Sequence, residues 1–430
     1  MINKLIIVFL VIMFHFNIFA QSNLPLDTIN GYFVRVKQIC DNDKGKLWGK
    51  PVYGPILVID SKTRKLVANE PDNENLLKKE GNVYIGTFPE NLIISNSTTQ
   101  FGGKLWTMVS FPFNRNDKDI DLLFTHELFH RLEEVMELKS YLYDNSHMNN
   151  FESRIYLKLE WLALLTAVNS QNNNINALSD ALIFRAYRRS LYSGVDTMEN
   201  EFEVYEGLAE YTAYSLCFNS KEIVPAIIKR KNLSWNSESY VRSFGYYSGL
   251  LYGYLLDKYN VDWRKTLKYN DDLGGKLKEA LLISLPVNLD NSIKQRRNIY
   301  GYDTISTFEL SRKQEKDKII SDYRLKFTSN TVFKINLLKP HFGFNPNNLQ
   351  PLDSLGTIFP FIELVDDWGK LIVTEGGCLV SKDWKLATIS STDFKISNIE
   401  NITGKGWSIK LNDDWKVIKK DEIYLIMKND

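Results

Sequence analysis

The alternation of apolar and polar positions changes character twice along the chain. Up to about residue 115, short apolar runs alternate with turn residues. The runs are Gly31–Val36, Ile56–Asp60, Val83–Gly86 and Leu105–Val109, punctuated by Asp41-Asn42-Asp43-Lys44-Gly45 and Gly102-Gly103. Runs of this length between Gly, Asn and Asp predict strands. From Asp119 to about Lys326, apolar residues recur at three- and four-residue spacing over 119–139, 152–169, 175–191, 199–217, 241–259 and 309–325. That period predicts a mostly helical middle. After about Asn330 the strand texture returns at Val332–Ile335, Lys370–Val373, Trp407–Leu411 and Ile423–Ile426. The predicted class is α+β: a β-rich domain over 21–115, a helical domain over 116–330 and a small β domain over 331–430.

The 430 residues are ample for two or three domains with a buried core, and 44% hydrophobic residues exclude a disordered chain. Lys+Arg at 53 against Asp+Glu at 52 leaves +1, so no global field favours nucleic acid or an anionic membrane as a partner. Residues 1–20 read as a secretory signal: Lys4, an apolar run Leu5–Phe14, and a small residue, Ala20, near the cut. A run this short falls below the roughly 18 residues needed to span a bilayer. The expected location is therefore secreted or periplasmic, with no integral membrane segment once the signal is removed. With no Cys near the cut, a lipoprotein is disfavoured. Cys40, Cys217 and Cys378 are far apart in sequence and are expected to be buried thiols rather than a metal cluster.

Chemistry concentrates at Thr125-His126-Glu127-Leu128-Phe129-His130-Arg131. On a helix, His126 and His130 are four apart and project from one face, where two imidazoles can grip one zinc ion. Glu127 lies beside them as a candidate general base, accepting a proton from metal-bound water. Leu128, Leu132 and Val135 form the expected core stripe of the same helix. A hydrogen-bonded pair of structural histidines is the alternative.

A catalytic zinc takes three protein ligands and keeps a position for water, so a third ligand must come from elsewhere. The segment Glu199–Tyr211 is the richest in acids. Glu206 and Glu210 share a helical face, and Gly207 and Ala209 are small enough for close helix approach. One carboxylate can bind the metal while the other orients a ligand His. Glu160 and Glu152 lie closer in sequence to His130 and stay open as alternatives, as does a solvated acidic face.

At these residues the sequence resembles the gluzincin metallopeptidases, the thermolysin-like class, in which His-Glu-x-x-His is completed by a Glu on a later helix and an acid four positions on. The resemblance implies Glu206 as third ligand, Glu210 as the acid behind a ligand His, and Tyr246, in Ser243–Gly249, as donor to the oxyanion. It also implies a zincin-like central domain and makes the strand Lys104–Ser110 a substrate rail at a sheet edge. The 76 positions from His130 to Glu206 depart from the family pattern, and an inserted long helical hairpin over 152–169 and 175–191 would explain them. The chain is similar too to uncharacterised exported bacterial proteins that share the motifs at 125–131, 159–161, 206–212 and 243–253.

His147 is expected on a loop facing water, and Arg185, Arg188 and Arg189 on a solvated helical face. The expected function is an exported Zn2+-dependent metallohydrolase acting on a peptide or protein substrate. The alternatives are a non-catalytic metal-containing binding protein and a zinc hydrolase acting on a non-peptide bond.

Overall fold

The computed structural model describes residues 24–138, 144–328, 331–344, 349–391, 394–398 and 401–429. The signal sequence expected over 1–20 lies outside them. The described chain is α+β, and it forms two compact units. One takes the chain as far as Met148 together with Tyr156–Arg296; the other takes Asn149–Ile155 and the chain from Arg297 onward.

The first unit opens with helix α1 (Leu26–Asp43). This corrects the strand expected at Gly31–Val36. Ile29, Phe33, Val36 and Cys40 recur at helical spacing and are all buried, so a 3.6-residue period governs where a short window suggested alternation. Six strands follow: β1 (Ile56–Asp60), β2 (Lys65–Ala68), β3 (Lys78–Glu80), β4 (Val83–Thr87), β5 (Ser97–Phe101) and β6 (Lys104–Phe111). They form one sheet in the order β3-β4-β2-β1-β6-β5, with β1 and β6 parallel. The substrate rail expected at Lys104–Ser110 is therefore misplaced. β6 is hydrogen-bonded on both sides, and the edge strand beside it is β5.

The helices are α2 (Asp117–Val135), α3 (Phe151–Asn169), α4 (Ile175–Ser190), α5 (Val195–Phe202), α6 (Leu208–Cys217), α7 (Ile223–Trp235), α8 (Phe244–Lys258), α9 (Leu273–Ala280) and α10 (Leu289–Arg296). Asn116 starts α2 by accepting from the Asp119 amide, with Asp117 and Asp119 in the first turn opposing the helix dipole. Leu128 and Leu132 are buried as expected, whereas Val135, the last residue of the helix, is 49% exposed. Residue 115 is not a boundary between compact units: β5, β6 and α1 all pack on α2. Trp48 locks this arrangement. Its ring lies 4.9 Å from Phe129 on α2, and its Nε1 donates to Thr212 on α6 at 2.9 Å.

The second unit holds the long helix α11 (Tyr302–Thr328) and two β-sheets of seven and six strands, antiparallel except where Ile423–Lys428 runs parallel to Val332–Asn336. Phe333, Ile335, Leu364, Leu371, Trp407 and Ile409 come from both sheets and close one core between them. No helix among the described residues is long and apolar enough to cross a membrane.

Candidate metal centre

Glu206 sits in a π-helical turn, Glu203–Gly207, between α5 and α6. On an unbroken α-helix Glu199, Glu203, Glu206 and Glu210 would lie within about 60° of one another. One residue inserted by a π-turn rotates the downstream half by about 100° and divides that stripe. Glu199 and Glu203 face arginines, and Glu206 and Glu210 face the histidines of α2. Gly207 lets the turn press onto α8, where a Cβ would meet the Gly245 carbonyl oxygen at 2.5 Å.

His126 Nε2 and His130 Nε2 are 3.1 Å apart. Glu206 Oε2 lies 3.3 Å from the first and 3.5 Å from the second, and is buried without a hydrogen-bond partner. The remaining ring nitrogens face carboxylates. His130 Nδ1 is 2.7 Å from Glu133 Oε2, and His126 Nδ1 is 3.4 Å from Glu210 Oε2. An ionised carboxylate only accepts, so each Nδ1 is the nitrogen that carries the ring proton. Both Nε2 atoms and a carboxylate oxygen then converge on one point. A proton on one imidazole or a bound cation satisfies that arrangement, and among the described residues these three form the one His/Cys/Asp/Glu group whose ligand atoms lie close enough together to hold a metal ion.

The electrostatics are those of an acid-rich, buried site. Burial would lower His126, but Glu206 and Glu210 outweigh it and raise the ring to about 9. Burial also opposes ionisation of Glu206, yet the two imidazoles hold it well below the usual carboxylate range. Glu210 is likewise held at about 2, by Arg230 and His126 against the push of burial. Burial raises Glu127, whose Oε2 has no hydrogen-bond partner. Burial and the neighbouring Glu206 raise Tyr246.

Tyr246 stacks on His126 at 5.5 Å with the rings nearly parallel, whereas its neighbour Tyr247 is buried and donates to the Ile227 carbonyl. His126, Glu127, Glu210 and Tyr246 line a cleft of about 540 Å³ with Asn96, Arg115 and Arg230. Asn96 directly precedes the edge strand β5.

The rivals for third ligand are elsewhere. Glu160 is fully buried between Arg185 and Arg188 and accepts from Tyr252, and Glu152 belongs to the other unit. The arginines expected on a solvated face instead form a buried network: Arg185 binds Glu203, and Arg188 and Arg189 bind Glu199. His147, expected to face water, is buried and bonded to Glu199 at 2.7 Å. A buried guanidinium needs carboxylates around it, so the acids interleaved along 199–203 are what draw α4 inward.

Sequence reasoning missed Glu133, Arg230 and the structural role of Arg131. Glu133 lies three positions after His130, and that spacing was the available signal. Arg230 supports Glu210 at 2.6 Å from α7 and had no sequence signal. Arg131 donates to the carbonyls of Val52 and Tyr53. Comparison of the chain with protein-family models, curated proteins and solved structures finds no match.

Proposed function

We propose that the chain is an exported zinc-dependent metallohydrolase that cleaves peptide bonds. The carrying observation is the triangle of lone-pair donors on His126, His130 and Glu206, with edges of 3.1, 3.3 and 3.5 Å. Donors set about 2.0–2.1 Å from a four-coordinate zinc lie about 3.3 Å apart, so the triangle fits that ion without rearrangement. Two imidazoles and one carboxylate are donors that zinc accepts, whereas calcium and magnesium take oxygen. Three protein ligands also leave a coordination position for water or substrate.

Bound there, zinc supplies Lewis acidity, polarising a carbonyl and acidifying a water. Glu127 takes the proton of the attacking water on its unpartnered Oε2 and returns it to the leaving amine. The Tyr246 phenol, kept protonated by its raised pKa, donates to the developing oxyanion. Arg230 holds Glu210 against His126 and so keeps that ring oriented. The edge strand β5 beside the cleft can add an extended peptide, which favours a peptide over a non-peptide substrate. A purely binding protein has no use for a buried base at the mouth of such a site. Export rests on the reading of residues 1–20.

Metal analysis of the purified chain, followed by a general protease assay of wild type and Glu127→Gln, tests the reading. Zinc bound by both proteins, with peptide turnover at least about 100-fold lower in the variant, is expected. Zinc without Glu127-dependent peptide turnover overturns the peptidase, and a chain that takes up no divalent metal overturns the metal site.

A further inference from the structure

We propose that Glu133 is a positioning residue of the metal centre, fixing the His130 ring and directing its Nε2 lone pair at the cation. The inference rests on the metal reading and extends it to a residue outside the ligands and the general base. Glu133 follows His130 by three residues on α2, so both side chains share a helical face. The residue is 2% exposed, and its Oε2 accepts from His130 Nδ1 at 2.7 Å. Its other oxygen, Oε1, is buried with no hydrogen-bond partner, and among the described residues no Lys or Arg forms an ion pair with it.

The two ligand imidazoles are thus backed unequally. Glu210 lies 3.4 Å from His126 Nδ1 and gives its other oxygen to Arg230 at 2.6 Å, so part of its charge is spent on the guanidinium. Glu133 has no such counter-ion among the described residues, and its bonded oxygen is directed at His130 Nδ1. A carboxylate on Nδ1–H holds the proton there, locks the ring and makes Nε2 a stronger donor. Keeping a carboxylate in the interior without a permanent cation is costly, and that cost is offset only through the ring it faces. His130 is therefore the ligand with the greater charge donation, set by a residue one turn further along its own helix.

Zinc affinity measured by competition with a chromophoric chelator, for wild type, Glu133→Gln, Glu133→Ala and the exposed neighbour Glu134→Ala, tests this. Glu133→Ala is expected to bind zinc about 10–100-fold more weakly, with Glu133→Gln between it and wild type because the amide oxygen can still accept from Nδ1–H. Glu134→Ala is expected to stay at the wild-type value. The visible d–d absorption of the Co2+-loaded protein is expected to shift in Glu133→Gln, which a merely structural role would not produce. If Glu133→Ala fails to fold by circular dichroism, Glu133→Gln alone carries the test. Wild-type zinc affinity and an unchanged Co2+ spectrum in Glu133→Gln overturn the proposal. A wild-type chain that binds neither metal overturns this proposal and the metal reading together.

Discussion

Gly207 and Gly249 meet backbone to backbone. A Cβ on Gly249 would lie 2.5 Å from the Gly207 Cα, and a Cβ on Gly207 would lie 2.6 Å from the Gly249 Cα. This contact seats the π-turn on α8 and so brings Glu206 and Tyr246 to the histidines of α2. Gly249→Ala has no flexible side chain to push aside and is expected to destabilise the fold by about 1–3 kcal/mol while weakening metal binding. Gly31→Ala, on α1 with nothing within 4 Å of its Cβ, is expected to stabilise by roughly 0.5–1 kcal/mol. Urea unfolding of both variants beside wild type reads the difference.

Glu206 and Glu160 separate the two buried acidic groups of the unit. Glu206→Ala removes one corner of the donor triangle and is expected to abolish stoichiometric zinc retention after dialysis. Glu160→Ala leaves Arg185 and Arg188 under-neutralised at 3% and 0% side-chain exposure. It is expected to cost about 3–5 kcal/mol in denaturant unfolding and to leave zinc stoichiometry at the wild-type value in the folded fraction.

Tyr246 and Tyr247 are adjacent and point to different places, so their phenylalanine variants are expected to differ in kind. Tyr246→Phe removes a donor at the cleft and is expected to lower kcat by about 100-fold with little change in KM. Tyr247→Phe loses a buried hydrogen bond to Ile227 and is expected to lower stability by about 1 kcal/mol without a comparable loss of kcat. Steady-state kinetics on one peptide substrate, with thermal unfolding alongside, distinguishes them.

The arginine network makes stability pH-dependent. Burial opposes ionisation of Glu199, but Arg188 and Arg189 outweigh it and hold the carboxyl far below its ordinary 4.5. A group depressed in the folded state adds stability that is present in full above the unfolded value and is lost as pH falls below it. Wild type is therefore expected to lose stability steeply below about pH 4.5. Glu199→Gln is expected to start lower at neutral pH and to show a shallower acid limb. Urea midpoints measured from pH 7 down to pH 3 give both slopes.

Much of the helical middle was legible because α2, α3, α4 and α8 keep a long apolar period that outvotes local noise. The strands at 56–60, 332–336 and 407–411 were legible for the complementary reason, being short β-branched or aromatic runs between turn residues. Gly31–Val36 was misread because six residues cannot separate a two-residue period from a 3.6-residue one. The arginines of α4 were misread as solvated because a charge run looks alike whether its counter-ions are water or buried carboxylates far along the chain.

The sequence by itself determined that His126 and His130 face one point and that Glu127 stands beside them, because four residues on one helix set that geometry locally. It also set the pairing of Glu133 with His130, by the same one-turn spacing. Only the tertiary structure decided that Glu206 and not Glu160 completes the triangle, that Tyr246 and not Tyr247 reaches the cleft, and that β5 and not β6 is the free edge. Those choices depend on a π-turn that rotates one acidic face away from another and on two glycines that let backbones touch. Both are consequences of packing between segments distant in sequence, which no local pattern of residues encodes.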